Sequence, residues 1–201
     1  MARALNDGTR YHDQRFRDLD LERSRLVESE FHDCHFEACS FSETVFQGCR
    51  FVECVFEECD LSLAQMPGTA FSASRFADSR VIGVDWTQAD WSGVSLGQPI
   101  GFERCALSHS TFIGLNLPGL QIKECVAADV DFREADLSKA DFSGSDLNQS
   151  LFINTNLSKA DLSTARNYSI APEQNLLKGA RFALPEAMSL LFSMDIVLVE
   201  K

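Results

Sequence analysis

A large apolar residue recurs at every fifth position over most of this 201-residue chain. The row runs from Phe16 to Leu96 and resumes, after a slip of one residue, from Phe102 to Leu162. It holds 30 positions, of which only Ala127 is not large, and 14 of the 16 phenylalanines fall on them. A step of five residues gives no stripe on an α-helix and changes face in a flat strand, so the row fits neither ordinary element.

Small residues, including all seven cysteines, lie two places before the large ones. In an extended segment residues two apart point to the same side, so both rows face inward and a corner follows. If each corner turns by about 90°, four five-residue sides close a coil of 20 residues, and successive coils stack about 4.8 Å apart. The spacing therefore predicts an all-β solenoid, a parallel β-helix.

The repeat resembles that of the pentapeptide-repeat family, whose loose consensus is A(D/N)LXX. The best local matches are ADLSK at 135–139, ADFSG at 140–144, SDLNQ at 145–149, TNLSK at 155–159 and ADLST at 160–164. The resemblance implies a right-handed quadrilateral parallel β-helix. We expect an N-terminal lead-in over residues 1–13, the β-helix over 14–165 and a C-terminal cap and dimerisation segment over 166–201.

The interruption of the row falls in LGQPIGF, residues 96–102, where glycine and proline indicate a bulge or a small loop. The candidate loop consists of Gly97, Gln98, Pro99, Ile100 and Gly101. We expect the β-helix to be interrupted only over 97–101.

No catalytic or metal-binding pattern stands out in the sequence. The cysteine spacings of five and ten do not match zinc motifs, and pairs 20 apart, such as Cys34 and Cys54, are expected to stack as buried reduced thiols. Nucleophile-elbow, phosphate-loop and zinc-protease motifs are missing. The aspartates one place before the large residues are expected to be solvated or to bond the corners. We therefore expect no enzyme activity and no cofactor.

The net charge of −12 and the pI near 4.7 argue against nucleic acid or an anionic membrane as a direct ligand. No signal-peptide apolar region and no 18-residue apolar run is present, which predicts a cytoplasmic protein. Stacking at 20 residues brings like charges together, and the candidate contact residues are Asp33, Glu37, Glu53, Glu57, Asp60, Asp141 and Asp161. Spaced anions on a stiff rod suit a groove that binds DNA, so mimicry of DNA is one hypothesis; acidity that only aids solubility is the other.

The C-terminal stretch ALPEAMSLLFSMDIVLVEK predicts a helix beginning at Pro185 and a short strand over 196–199. It is more apolar than the cap of a solenoid requires, so we expect a homodimer interface there. The candidate interface residues are Leu184, Met188, Leu190, Leu191, Met194, Ile196 and Leu198.

The stretch NYSIAPEQNLLKGARFALPEA resembles the C-terminal segment of the topoisomerase-protecting group within the family, and GVDWTQADW and FERCALSHSTFIGL resemble the albicidin-resistance protein AlbG. This group also includes the Qnr quinolone-resistance proteins and the McbG microcin-immunity protein. The resemblance implies a C-terminal dimer that binds DNA gyrase or topoisomerase IV and counteracts an inhibitor. Qnr proteins carry larger loops, which leaves a different inhibitor open. The alternative is a non-catalytic scaffold for an unrelated protein.

Overall fold

The computed structural model describes residues 5–92, 100–194 and 196. The chain winds into a four-sided parallel β-solenoid whose regular coil takes 20 residues. Pairing sets this repeat, because Arg15 lies beside His35 and His35 beside Val55. The fold predicted from the five-residue row is confirmed.

Twelve strands of three residues each lie among the described residues. They are β1 (Arg10–His12), β2 (Arg15–Arg17), β3 (Arg25–Val27), β4 (Glu30–His32), β5 (His35–Glu37), β6 (Val45–Gln47), β7 (Arg50–Val52), β8 (Val55–Glu57), β9 (Ala70–Ser72), β10 (Arg75–Ala77), β11 (Gly101–Glu103) and β12 (Gln121–Lys123). Short 3₁₀ helices span Trp86–Gln88, Pro172–Gln174 and Glu186–Met188, and one α-helix, α1, spans Ser189–Phe192.

The strands form the four faces of the rod. Face 1 is the sheet β1-β4-β7-β9, and face 2 is the six-stranded sheet β2-β5-β8-β10-β11-β12, which spans five turns of the solenoid. Isolated bridges extend face 2 from Gln121 to Arg181. Face 3 consists of bridges from Asp20 to Arg166, and face 4 of β3, β6 and the bridges that lead to Leu151.

Columns of aromatic rings fill the interior. The rings of Phe31 and Phe51 stack at 4.9 Å, those of Phe51 and Phe71 at 5.2 Å, and rings from neighbouring faces meet edge-on. Flat rings suit these columns because the strand spacing of about 4.8 Å is close to a favourable stacking distance. Of the predicted large residues in the described part of the chain, all are buried except Leu21 and Trp91, which are partly buried.

The small inward residues hydrogen-bond one coil to the next. Thr69 Oγ1 donates to the carbonyl of Phe46 at 2.8 Å, and Ser145 Oγ to that of Ile122 at 2.7 Å. Cysteines occupy the same position; all seven are buried free thiols, as predicted. Burial raises the pKa of Cys49 to about 11, which keeps this thiol protonated at neutral pH.

Most corners lie two residues after a large inward residue and have left-handed backbone, as at Asp33 with φ 53°. This conformation costs an L-residue roughly 1–2 kcal/mol, but the corner N–H bonds to the next coil, for example Asp33 N–H to the carbonyl of Val52 at 3.0 Å. The aspartates before the large residues bond the corners, as expected: Asp161 accepts from the N–H of Ser163 at 3.0 Å.

The interruption is larger than the predicted slip of one residue. Phe102 pairs with Phe76, so this coil takes 26 residues. The six additional residues equal one repeat plus one residue, and a periodic row therefore shows only the extra one. Ile100 is buried and Gly101 begins β11, so both belong to the solenoid rather than to a loop. The predicted loop residues Gly97, Gln98 and Pro99 lie outside the described residues.

The solenoid also extends past both predicted ends. Residues 10–12, expected in the lead-in, form β1, and the Tyr11 ring stacks on Phe31 at 5.0 Å. Asp161 pairs with Arg181, beyond residue 165. The C-terminal helical segment then covers Glu186–Phe192, so that Pro185 precedes the helix instead of starting it. Of the predicted strand over 196–199, only Ile196 lies within the described residues.

Candidate protein-binding surface

The seven candidate contact residues lie mostly on or beside face 2. The edge between faces 1 and 2 carries Asp33 and Glu53. Face 2 itself carries Glu37, Glu57, Asp141 and Asp161, and face 3 carries Asp60. The predicted like-charge stacking is confirmed where register is defined: Glu37 pairs with Glu57, and Asp141 with Asp161.

Ion pairs with neighbouring coils neutralise four of these seven carboxylates, and the His35 imidazole hydrogen-bonds a fifth. The pairs and their distances are Arg17–Glu37 at 2.8 Å, His35–Glu57 at 2.9 Å, Arg80–Asp60 at 3.5 Å, Lys123–Asp141 at 3.1 Å and Arg181–Asp161 at 2.8 Å. Hydrogen bonds from Ser163, and then Arg181, lower the pKa of Asp161, so this group stays ionised. Most of the predicted face is therefore a ladder of alternating charges rather than a bare anionic surface.

Several unpaired carboxylates lie on the two edges of face 2. Edge A, between faces 1 and 2, carries Asp13, Asp33 and Glu53 in the first three coils, and Lys139 and Lys159 in later coils. Edge B, between faces 2 and 3, carries Asp18, Glu58, Asp78, Arg104 and Glu124. Within the described residues only Asp78 and Arg104 of these ten are ion-paired, with each other at 2.7 Å. Of these residues only Asp33 and Glu53 were predicted as contacts, although the position two after each large residue identifies the others.

The corners carry much of the negative charge of the rod. Among the non-glycine residues with left-handed backbone, eleven are acidic and four are basic. A corner side chain points away from the core, and a few corners pair along the rod, as Arg23 does with Glu43 at 2.9 Å. Because acidic corners outnumber basic ones, rows of exposed anions remain along the rod.

These rows have spacings in the range of a nucleic acid. Residues on one edge follow at the strand spacing of about 4.8 Å, and five residues at about 3.3 Å each place edges A and B at most roughly 16 Å apart. The major groove of B-DNA is about 12 Å wide, with phosphates about 3.4 Å apart along each strand axis. In its first three coils face 2 thus resembles a groove bordered by carboxylates on both edges, at a lower charge density than DNA.

Part of the opposite side of the rod is apolar. Face 4 exposes Ile113, Leu151 and Ile153 at 36–42%. Between these residues the Arg133 guanidinium binds the Asp131 carboxylate at 2.7 Å, which lowers the pKa of Asp131. This part of face 4 is therefore an apolar surface around a neutralised ion pair.

The predicted interface residues form an apolar surface at the C-terminus. Leu184, Met194 and Ile196 are exposed, whereas Met188, Leu190 and Leu191 are half-buried, with Leu190 against the core; Leu198 lies outside the described residues. No residue of the helical segment Glu186–Phe192 is fully buried. The segment caps the solenoid incompletely.

Two further features bear on possible ligands. Within residues 5–92, 100–194 and 196, no group of three or more His, Cys, Asp or Glu side chains is placed to hold a metal ion. The helices in the same part of the chain are too short to cross a membrane.

Comparison with known proteins is consistent with this geometry. The family model described as "Pentapeptide repeat region" matches residues 29–99 and 98–162. A trypsin-treated form of QnrB1, a plasmid-mediated fluoroquinolone resistance protein, superposes with a TM-score of 0.71 at 16% identity, covering 97% of this chain and 99% of that one. HetL, a pentapeptide-repeat protein involved in heterocyst differentiation regulation in the cyanobacterium Nostoc, gives a TM-score of 0.70 at 15% identity, covering 88% of this chain and 86% of that one.

At these identities the structural likeness shows the fold alone. A search of curated protein sequences finds no significant match. The narrower resemblance to AlbG and McbG stays a prediction. The family model, however, covers well over half of the 201 residues, and its repeat coincides with the observed five-residue sides. The chain belongs to the pentapeptide-repeat family.

Proposed function

We propose that the protein mimics DNA, binds DNA gyrase or topoisomerase IV, and protects the enzyme from an antibiotic or toxin that targets it. The observation that carries this proposal is the set of unpaired carboxylates on edges A and B, which border face 2 on both sides in its first three coils as phosphates border a groove. The group that the C-terminal sequence resembles supplies the identity of the partner.

The mechanism is non-covalent and electrostatic. A groove that binds DNA presents spaced cations, and face 2 with its edges offers anions at comparable spacing on a rigid scaffold. Docking releases the counterions that are bound to both surfaces, so the affinity falls as the salt concentration rises. The bound rod either displaces DNA or destabilises the complex in which the inhibitor traps cleaved DNA.

A homodimer through the C-terminal segment would lengthen the rod. The exposed Leu184, Met194 and Ile196 favour it, because apolar side chains clustered at one end gain from mutual burial. A two-fold axis at this end would place one copy of face 2 on each half of the longer rod.

The charge rows can be tested with matched variants. Glu58→Gln/Glu124→Gln removes two unpaired charges from edge B, while Glu28→Gln/Glu134→Gln removes two from the edge between faces 4 and 1. All four residues are exposed and have φ between 52° and 61°, so folding is affected alike. We expect the edge B variant to weaken inhibition of gyrase supercoiling, or rescue from a gyrase poison, at least fivefold, and the control less than twofold.

The outcomes separate the contact from the function. Equal effects of both variants would place the contact elsewhere on the rod. If the unmodified protein neither inhibits purified gyrase and topoisomerase IV nor rescues either enzyme from any poison, the proposed function is wrong.

A scaffold for an unrelated protein is the second candidate. Face 4 favours it, since Ile113, Leu151 and Ile153 are exposed around a neutralised ion pair, a composition that suits a protein interface. Under this hypothesis Ile113→Ser/Ile153→Ser abolishes binding to the cellular partner, and Glu58→Gln/Glu124→Gln does not.

A further inference from the structure

A cleft remains open between the last coil and the C-terminal helical segment. Its volume is about 230 Å³. The lining residues are Asn167, Tyr168, Pro185, Glu186, Met188, Ser189 and Phe192. A leucine or phenylalanine side chain would fit into a space of this size, and the lining is mainly apolar.

Two hydroxyl groups beside this cleft have no hydrogen-bond partner among the described residues. Tyr168 is 3% exposed, and neither its Oη nor the buried Oγ of Ser189 makes a hydrogen bond to the described residues. A buried polar group without a partner is costly and uncommon in native proteins. The cleft is therefore incomplete in polar contacts as well as in volume.

Both the cleft and a protruding apolar side chain belong to the same short segment. Leu184, next to the cleft residue Pro185, is 77% exposed, and Phe192 at the rim is 67% exposed. Leu184 does not line its own cleft. A cavity and a protrusion side by side on one surface meet the requirement of an isologous interface, in which residue i of one copy contacts residue j of the other and the reverse.

We propose that a second copy of this chain completes the cleft by inserting its Leu184 between Tyr168 and the helical segment, twice per dimer. This inference rests on the proposed C-terminal dimer and adds its receptor site, Tyr168, Ser189 and Phe192, which the sequence did not indicate. Insertion buries the most exposed apolar side chain of the described residues and brings polar main-chain atoms of the partner copy close to the two hydroxyl groups.

The test compares two exposed leucines by sedimentation equilibrium. Leu184→Ser removes the inserted side chain, and Leu176→Ser is the matched control, because Leu176 is 63% exposed near the same end but does not line the cleft. Neither side chain is buried, so unchanged urea midpoints verify folding. We expect Leu184→Ser to raise the dimer dissociation constant at least tenfold and Leu176→Ser less than twofold.

Equal constants for both variants, or a monomeric unmodified protein at all concentrations, would overturn the inference. Supercoiling assays on the same samples distinguish this failure from failure of the proposed function. If the protein is a monomer and still inhibits gyrase, the proposed insertion of Leu184 is wrong and the proposed function stands. If the protein dimerises through Leu184 but affects neither gyrase nor topoisomerase IV, the proposed function is wrong and the insertion stands.

Discussion

Removal of one central ring should destabilise the whole solenoid. Phe51 is 1% exposed, stacks on Phe31 and Phe71, and meets Phe46 and Phe56 edge-on. Replacing a buried phenylalanine by alanine costs about 3–5 kcal/mol, and each lost ring pair accounts for about 0.5–1.5 kcal/mol. Because two stacked and several edge-on contacts are lost, we expect Phe51→Ala to lower the free energy of unfolding by about 5 kcal/mol.

Urea unfolding followed by circular dichroism measures this loss. Phe51→Leu keeps most of the volume but loses the ring contacts, so we expect a loss of about 2 kcal/mol. Ile153→Ala, at a residue 41% exposed on face 4, is the control and should cost less than about 1 kcal/mol. A loss for Phe51→Ala no larger than for this control would refute the stacked core.

Three further predictions concern the corners, the ion pairs and the thiols. Gly48 has φ +61° and room for a methyl group, whereas Gly101 has no positive φ and similar room, so Gly48→Ala should lower the urea-derived stability by about 1 kcal/mol and Gly101→Ala should not. The pKa values of Asp78 and Asp131 are lowered by Arg104 and Arg133, so their contribution to stability is present at neutral pH and lost as pH falls below the ordinary 3.8. The urea midpoint should therefore drop as the pH falls below about 4, and less so in Asp131→Asn; an equal drop in both proteins would contradict this assignment. Ellman's reagent should modify none of the seven buried thiols in the native protein and all of them in denaturant, and rapid native labelling would contradict the predicted packing.

The sequence predicts the coil because its inward positions are chemically uniform. A five-residue row of Phe and Leu can bury one side chain per step only if the chain turns after each step, so the residues from Phe16 to Leu162 define the interior unambiguously. The same uniformity conceals the insertion before Phe102, since a periodic signal does not distinguish one additional residue from six. Tyr11 was missed at the N-terminal end because a tyrosine was not counted as a continuation of the row.

The outer surface was harder to predict, because it depends on pairs rather than on a period. The 20-residue spacing predicts the stacking of like charges, and it applies equally to opposite charges, such as Arg23 and Glu43, which pair at 2.9 Å. The ion-pair ladder therefore follows from the same spacing once both signs of charge are included. The acidic corners were missed for a different reason: left-handed backbone favours Gly, Asn and Asp, so a glutamate such as Glu58 gives no local signal of its conformation.

The most direct test of DNA mimicry is competition. A fluorescent DNA duplex bound to purified gyrase, and separately to topoisomerase IV, is titrated with this protein while anisotropy is recorded at two salt concentrations. We expect the protein to release the duplex, with a midpoint concentration that rises with salt and rises at least fivefold for Glu58→Gln/Glu124→Gln. Binding of the protein to either enzyme without release of the duplex, or release that is independent of salt and of edge B, would contradict it.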